Sequence, residues 1–317
     1  MFVKSRKELG ITVMSMLALT LASNTFAHDD DDESKDAPPP TSMADIKVEA
    51  QDVAEGIYML TGQGGNIGLS VGADATFIID DQFAPLTDKI VDAIAQKTDR
   101  PVDYVLNTHW HFDHTGGNEN FGKRGATIMA HDNVRKRMAE GLYMKAFDRQ
   151  IDPAPEIALP MITFDNTLSL YVNGQDIRGI HVSNAHTDGD TIVHFRAANV
   201  MHLGDTFFNG LYPFIDLESG GSIDGMIASA AKVLTMTDDK TKIIPGHGPL
   251  SNAAELKSYH DTLKSIRDKV AAMIEAGDSL EAVVAAKPTA EFDATANRFG
   301  FLTPEQFVTT VYTSLKQ

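Results

Sequence analysis

The chain contains no cysteine. This absence removes disulfide bridges, a thiolate nucleophile and every thiolate metal ligand, so any metal must be held by histidine and carboxylate. Basic residues are scarce too: 27 Lys and Arg against 44 Asp and Glu give a formal charge of −17. A nucleic-acid or anionic-membrane partner needs a basic face, and this balance argues against both. Long hydrophobic runs are also missing. The N-terminal apolar stretch, Ile11–Ala22, falls short of the roughly 20 residues that a bilayer-spanning helix needs. No internal repeat is visible.

What remains is globular. The 317 residues are 43% hydrophobic, enough for one large domain or two small ones with a substantial core. Lys4, Arg6 and Lys7 precede the apolar stretch, and Thr25-Phe26-Ala27 follows it. This is the pattern of a secretory signal peptide spanning residues 1–27, with cleavage expected after Ala27 and no membrane attachment afterwards. A periplasmic or secreted bacterial location is expected. Residues 28–45, which include "HDDDDESKDAPPPTS", are too acidic and proline-rich to bury apolar surface and are read as a flexible linker. The folded domain is expected over residues 46–317, with helices closing it from 253 onward.

Within that domain, "GIYMLTG", "NIGLSVG" and "TFIIDD" are short β-type runs divided by turn residues. Ile90, Val91, Ile94 and Ala95 repeat at helical spacing, Val102–Leu106 is a strand, "ATIMAH" another, and 132–139 helical. Residues 142–160 are read as a loop or lid. A second set of β-runs follows ("MITF", "LSLYV", "IRGIHV", "TIVHF", "VMHLGD"), then a helix over 223–234 and the strand and loop "KIIPGHG". Leu256, Tyr259, Leu263, Ile266, Val270 and Met273 form one apolar stripe over 253–275, with Asn252 and Glu255 resembling a capping box. Thr303-Pro304-Glu305-Gln306 opens a last helix. Two half-repeats, each a sheet followed by helices, would pack as a sandwich with helices outside.

The chemistry concentrates in "NTHWHFDHTGG", residues 107–117. His109 and His111 follow a strand end two residues apart, so in extended chain both imidazoles point the same way and suit one metal ion. Asp113 continues the alternation, and with His114 it is placed to serve a second site. Neutral imidazole and carboxylate suit Zn²⁺, with Fe²⁺ or Mn²⁺ as alternatives. Gly116 and Gly117 would let the backbone turn tightly beneath the ions. Further ligands must come from elsewhere. His186 in "NAHTDGD", Asp205 ending "VMHLGD" and His247 in "PGHG" all lie at strand-to-loop junctions. His131, His181, His194, His202 and His260 fit no ligand position. Trp110 and Phe112, which alternate with the ligands, are expected to pack behind the site. Phe207, Phe208, Tyr212 and Phe214 are divided between core and a substrate wall, with the Tyr212 hydroxyl as the candidate substrate contact.

His-x-His-x-Asp-His followed in order by His, Gly-Asp and Gly-His-Gly resembles the metallo-β-lactamase superfamily, and the resemblance covers most of residues 46–252. It implies an α/β (α+β) fold, the four-layer αβ/βα sandwich. It implies that His109, His111 and His186 bind a first metal, that Asp113, His114 and His247 bind a second, and that Asp205 bridges them. Two Zn²⁺ per chain would then hold a hydroxide that attacks the carbonyl of a small-molecule lactone, thioester or β-lactam, with Asp113 as the catalytic residue that orients it. Asp205 is similar to the bridging aspartate of glyoxalase II and the acyl-homoserine lactonases, rather than to the true β-lactamases. Persulfide dioxygenases, which are iron oxidoreductases, share part of the motif but use one iron held by two histidines and an aspartate. Oligomeric state has no signature in the sequence.

Overall fold

A computed structural model describes residues 42–144 and 149–317. The expected signal peptide and most of the acidic linker lie outside these described residues, as do 145–148.

The first half of the domain builds a seven-stranded sheet. Its strands are β1 (Glu49–Ala54), β2 (Ile57–Thr61), β3 (Ile67–Val71), β4 (Thr76–Ile79), β5 (Tyr104–Leu106) and β6 (Thr127–His131). A small hairpin, β7 (Leu142–Met144) and β8 (Arg149–Ile151), precedes the seventh strand, β9 (Ile162–Phe164). β1 to β4 form an antiparallel meander, and β4, β5, β6 and β9 run parallel. Parallel pairing needs crossovers, and helices supply two of them. α1 (Thr87–Ala95) links β4 to β5, and α2 (Phe112–Thr115) with α3 (Asn118–Lys123) links β5 to β6. α4 (Asp132–Glu140) leaves β6 directly, its first turn capped by the His131 ring accepting from Asn133 N.

The second half builds a six-stranded sheet. It comprises β10 (Thr167–Val172), β11 (Gln175–His181), β12 (Thr191–Phe195), β13 (Val200–His202), β14 (Lys242–Ile244) and β15 (Ser251–Asn252), hydrogen-bonded in that order. α5 (Ile223–Leu234) crosses from β13 to β14, which pair in parallel. α6 (Ala253–Glu275), α7 (Leu280–Ala285), α8 (Asp293–Ala296) and α9 (Pro304–Lys316) follow.

Strand alternation sorts side chains into three buried layers. Phe77, Ile79, Leu106 and Met129 of the first sheet meet Val193, Phe195, Val200 and Ile244 of the second between the sheets. Their sequence neighbours Ile78, Val105 and Ile128 turn outward onto Ile90 and Ile94 of α1. On the far side Ile192, Met201 and Ile243 cover the helices through Met226, Leu263, Ile266 and Phe307. The result is the expected αβ/βα sandwich: helix, sheet, sheet, helix.

The helices over 223–234, 253–275 and from Pro304 lie where the periodicity puts them, and Thr303 and Gln306 form a reciprocal capping box. Asn252 caps α6 by accepting from Ala254 N and Glu255 N, but Glu255 turns to Ser251 Oγ at 2.6 Å instead of closing a box. Residues 142–160 are not one loop. They hold the β7–β8 hairpin and a 3₁₀ turn at Glu156–Ala158.

Candidate metal centre

The seven candidate ligands converge on one edge of the sandwich. His109 and His111 follow β5, Asp113 and His114 lie in α2, His186 is in the turn between β11 and β12, Asp205 follows β13 and His247 follows β14. The alternation expected along the motif stops at His111. From Phe112 onward the chain is helical, so Asp113 and His114 are successive residues on one turn, and this carries them to the second site.

Two groups form, each with its candidate donor atoms within 4.8 Å of one another. One is His109, His111, His186 and Asp205, and the other is Asp113, His114 and His247. Asp205 faces both. Its Oδ1 is 3.0 Å from His114 Nε2, while its Oδ2 is 3.3 Å from His247 Nε2, 3.6 Å from His186 Nε2 and 3.9 Å from His109 Nε2. Asp113 Oδ2 lies 3.4 Å from His247 Nε2 and 3.7 Å from His114 Nε2.

The outer nitrogen of four imidazoles is committed elsewhere, which leaves the inner one to supply the lone pair that a metal takes. His114 Nδ1 donates to Asp80 Oδ2 at 2.7 Å, and His186 Nδ1 donates to the Phe214 carbonyl at 2.7 Å. His111 Nε2 donates to Asp216 Oδ2 at 3.0 Å. His109 Nδ1 donates to Thr108 Oγ1 at 3.0 Å, and that hydroxyl donates onward to Asp80 Oδ2 at 2.7 Å. The bare nitrogens therefore face one another: His186 Nε2 and His111 Nδ1 are 2.8 Å apart. His109 Nε2 and Asp205 Oδ1 are buried without a hydrogen-bond partner. Lone pairs at that separation repel unless a cation lies between them, and orphaned buried polar atoms are costly. The donor set fits divalent metal, with all-nitrogen-and-oxygen ligation suited to zinc and its neighbours.

Electrostatics divide the two groups. Burial pushes His109 and His186 down, His186 to about 4, and the surrounding imidazoles push His109 further. Burial acts the same way on His114 and His247. There the carboxylates of Asp205 and Asp113 outweigh it, raising His114 well above its ordinary range and His247 to about 9. Burial would raise Asp113, but His114 and His247 hold it down at about 2.

Several positioning residues were not foreseen. Asp80, fully buried, also accepts from Thr108 N at 2.7 Å. Asp190 shapes the His186 turn by accepting from His186 N at 2.6 Å and Thr187 N at 2.9 Å. Asp216 caps its own 3₁₀ turn as it holds His111. Paired acids after a buried strand ("IIDD") were the available signal for Asp80; Asp216 had none.

Three expectations are corrected. Tyr212 belongs to the core and does not line the cleft. It is 1% exposed, its ring stacks on Phe307 with centroids 4.6 Å apart, and its hydroxyl donates to Asp293 Oδ1 at 2.8 Å. Phe112 does not pack behind the site, as Trp110 does, but lines the cleft in front of it. Gly116 and Gly117 have ordinary helical φ values of −65° and −80°. Their role is close approach: a Cβ at Gly116 would lie 2.6 Å from the Phe112 carbonyl oxygen, and one at Gly117 2.8 Å from that of Asp81.

A narrow cleft opens above His111, Asp113, Asp205 and His247. Its walls are Phe112, Met144, Phe208, Leu211, Phe214 and Phe301. Phe208 stacks on the His247 ring at 5.2 Å, and Phe207 belongs to the core.

Comparison with known proteins agrees with this architecture. The chain is 26% identical over 157 residues to the hydroxyacylglutathione hydrolase of Polaromonas sp. strain JS666, covering 48% of this chain and 50% of that one. It is 27% identical over 111 residues to the 2,4-dinitroanisole O-demethylase subunit alpha of Nocardioides sp. strain JS1661, covering 35% of this chain and 31% of that one. The matches thus span half or less of these relatives' length. Among solved structures, DIM-1 metallo-beta-lactamase superposes with a TM-score of 0.57 at 20% identity, over 69% of this chain and 99% of that one. The sec-alkylsulfatase Pisa1 from Pseudomonas sp. gives 0.64 at 15% identity, over 84% and 50%. The family model for the metallo-beta-lactamase superfamily matches residues 60–247, more than half of the sequence and every candidate ligand. With its αβ/βα layers and its histidine–aspartate donor set, the chain belongs to the metallo-beta-lactamase superfamily.

Proposed function

We propose that this superfamily member is an exported hydrolase that holds two zinc ions and cleaves a carbonyl-centred bond, in a lactone, thioester or β-lactam, of a small molecule. The observation that carries this reading is Asp205, whose two carboxylate oxygens face different groups of ligands. A shared carboxylate is what a paired site needs, and a single-metal site leaves Asp113, His114 and His247 without a task. When bound, such a pair lowers the pKa of water and polarises the bond to be broken.

The chain's own groups do the remainder. Asp113, held anionic by His114 and His247 and lining the cleft, accepts and passes on the proton of the attacking water. Asp80, Asp216, Thr108 and the Phe214 carbonyl hold four imidazoles with their bare nitrogens inward. The apolar walls receive the non-reacting part of the substrate and thin the water around the site. Export rests on the pattern of residues 1–27. Relatives named as a hydroxyacylglutathione hydrolase and a metallo-beta-lactamase support hydrolysis without choosing the bond.

Metal analysis of the purified mature protein should return two zinc ions per chain. A panel of acyl-homoserine lactones, thioesters and β-lactams should then show one class hydrolysed and lost on Asp113→Ala. One iron per chain, no zinc and no hydrolysis of any class would overturn the proposal.

A further inference from the structure

We propose that Arg149 is a specificity-determining residue that holds an anionic group of the substrate at the rim of the cleft, while the apolar walls hold the body. This rests on the cleft being the substrate site, as proposed above.

The placement comes from the β7–β8 hairpin. Met144 and Arg149 are cross-strand partners, and directly opposed residues in an antiparallel pair project to the same face. Met144 is buried and lines the cleft, so Arg149 shares the cleft-facing side. Its guanidinium carbon lies 4.5 Å from the centroid of the Phe112 ring, one of the aromatic walls of that cleft. Stacking on a ring engages the face of a guanidinium and leaves its N–H edge free, which is the geometry that grips a carboxylate through two bonds.

Arg149 also stands apart in its charge partners among the described residues. In this acidic chain every other arginine of the described residues except Arg298 faces a carboxylate at 3.8 Å or closer. Arg149 has no carboxylate partner among the described residues, and it rests on the Phe112 ring. Among the described residues no Lys or Arg lines the cleft itself, and Arg149 is the cation they place at its rim. The preferred substrate is an apolar acyl or aryl body ending in a carboxylate or comparable anion.

The test uses Trp110, the only tryptophan, whose ring lies 4.9 Å from that of His111 and packs in the cluster Phe112 borders. Its fluorescence is titrated with hexanoate and with neutral hexanamide, on metal-loaded and metal-stripped protein. Hexanoate should bind about 10–100-fold more tightly than hexanamide in both forms, the range of one charge-assisted pair. Arg149→Ala should erase the difference, and Arg149→Lys should restore part of it. No saturable hexanoate binding, equal binding of the two ligands, or an equal loss for both in Arg149→Ala overturns the proposal. In turnover, the 4-nitrophenyl hemiester of glutaric acid should show a KM raised by the same factor in Arg149→Ala, with kcat within about twofold. Its methyl-capped diester should be unaffected. If neither ester is hydrolysed, the hydrolase reading is what suffers, and the hexanoate titration still decides Arg149.

Discussion

Asp80 touches no part of the cleft, yet a single-atom change there should disable half of the metal centre. Its Oδ2 accepts from His114 Nδ1 and from Thr108 Oγ1, each at 2.7 Å, and its Oδ1 accepts from Thr108 N at 2.7 Å. In Asp80→Asn the amide oxygen can keep Thr108 N–H, which puts the NH₂ against His114 Nδ1–H. Two donors then face each other in a fully buried spot. His114 can escape only by moving its proton to Nε2, the nitrogen that faces Asp205 and the second site. Either outcome costs about 1–3 kcal/mol, which brackets the about 10–100-fold loss of metal affinity seen when a partner behind a ligand is removed. The first group feels less. The Thr108 hydroxyl can rotate to accept from the new NH₂ while still accepting from His109 Nδ1, so its tautomer survives. Stepwise binding constants, measured on metal-stripped protein against a chromophoric chelator, should separate: the weaker constant falls by that factor and the tighter one by less than about threefold. The reasoning is refuted if both constants fall together, or if neither moves.

Asp216→Ala should show the mirror image, since Asp216 holds His111 at 3.0 Å in the first group; the same titration should lose about tenfold or more on the His109–His111–His186 side. Metal loading should release protons. With His247 raised to about 9, and His114 raised by the same carboxylates, the metal-free protein carries the His247 proton at pH 7.5, and binding displaces it. Apparent affinity therefore rises with pH until about 9, and calorimetry in buffers of different ionisation enthalpy reads the number directly; heats independent of buffer would contradict it. Tyr212→Phe removes the hydroxyl and with it the bond to Asp293. It should lower stability by about 0.5–1.5 kcal/mol in a thermal melt and leave kcat/KM unchanged, whereas a loss of activity at full stability would return Tyr212 to the site.

The parts of the molecule that were legible share a local cause. His109, His111, Asp113 and His114 announce themselves because the same short turn supplies all four, and the long apolar stripes of α5 and α6 each repeat over several turns. What could not be read depends on partners far along the chain. Asp80 meets His114 across 34 residues and Asp216 meets His111 across 105, and an aspartate after an apolar run looks the same whether it caps a turn or orients a ligand. β1, "EAQDVA", hides because only Val53 among its six residues is fully buried, so no alternation reveals a strand. Tyr212 misled for a related reason. Aromatics in "FFNGLYPF" carry no mark that tells the wall of a cleft from the core beneath it, and the stacking partner that settles the matter, Phe307, lies in the last helix.

The ligands are drawn from both sheets. His109, His111, Asp113 and His114 belong to the first half of the chain, and His186, Asp205 and His247 to the second. Neither half alone has a complete set for either group, so during synthesis and folding no strong site exists until the second sheet has docked on the first. On this reading metallation comes late, once the two sheets have docked. A chain truncated before His247, or one whose sheets dock out of register, is left metal-poor and correspondingly easier to unfold and digest. The centre thus acts as a quality check on its own assembly as well as a place for chemistry.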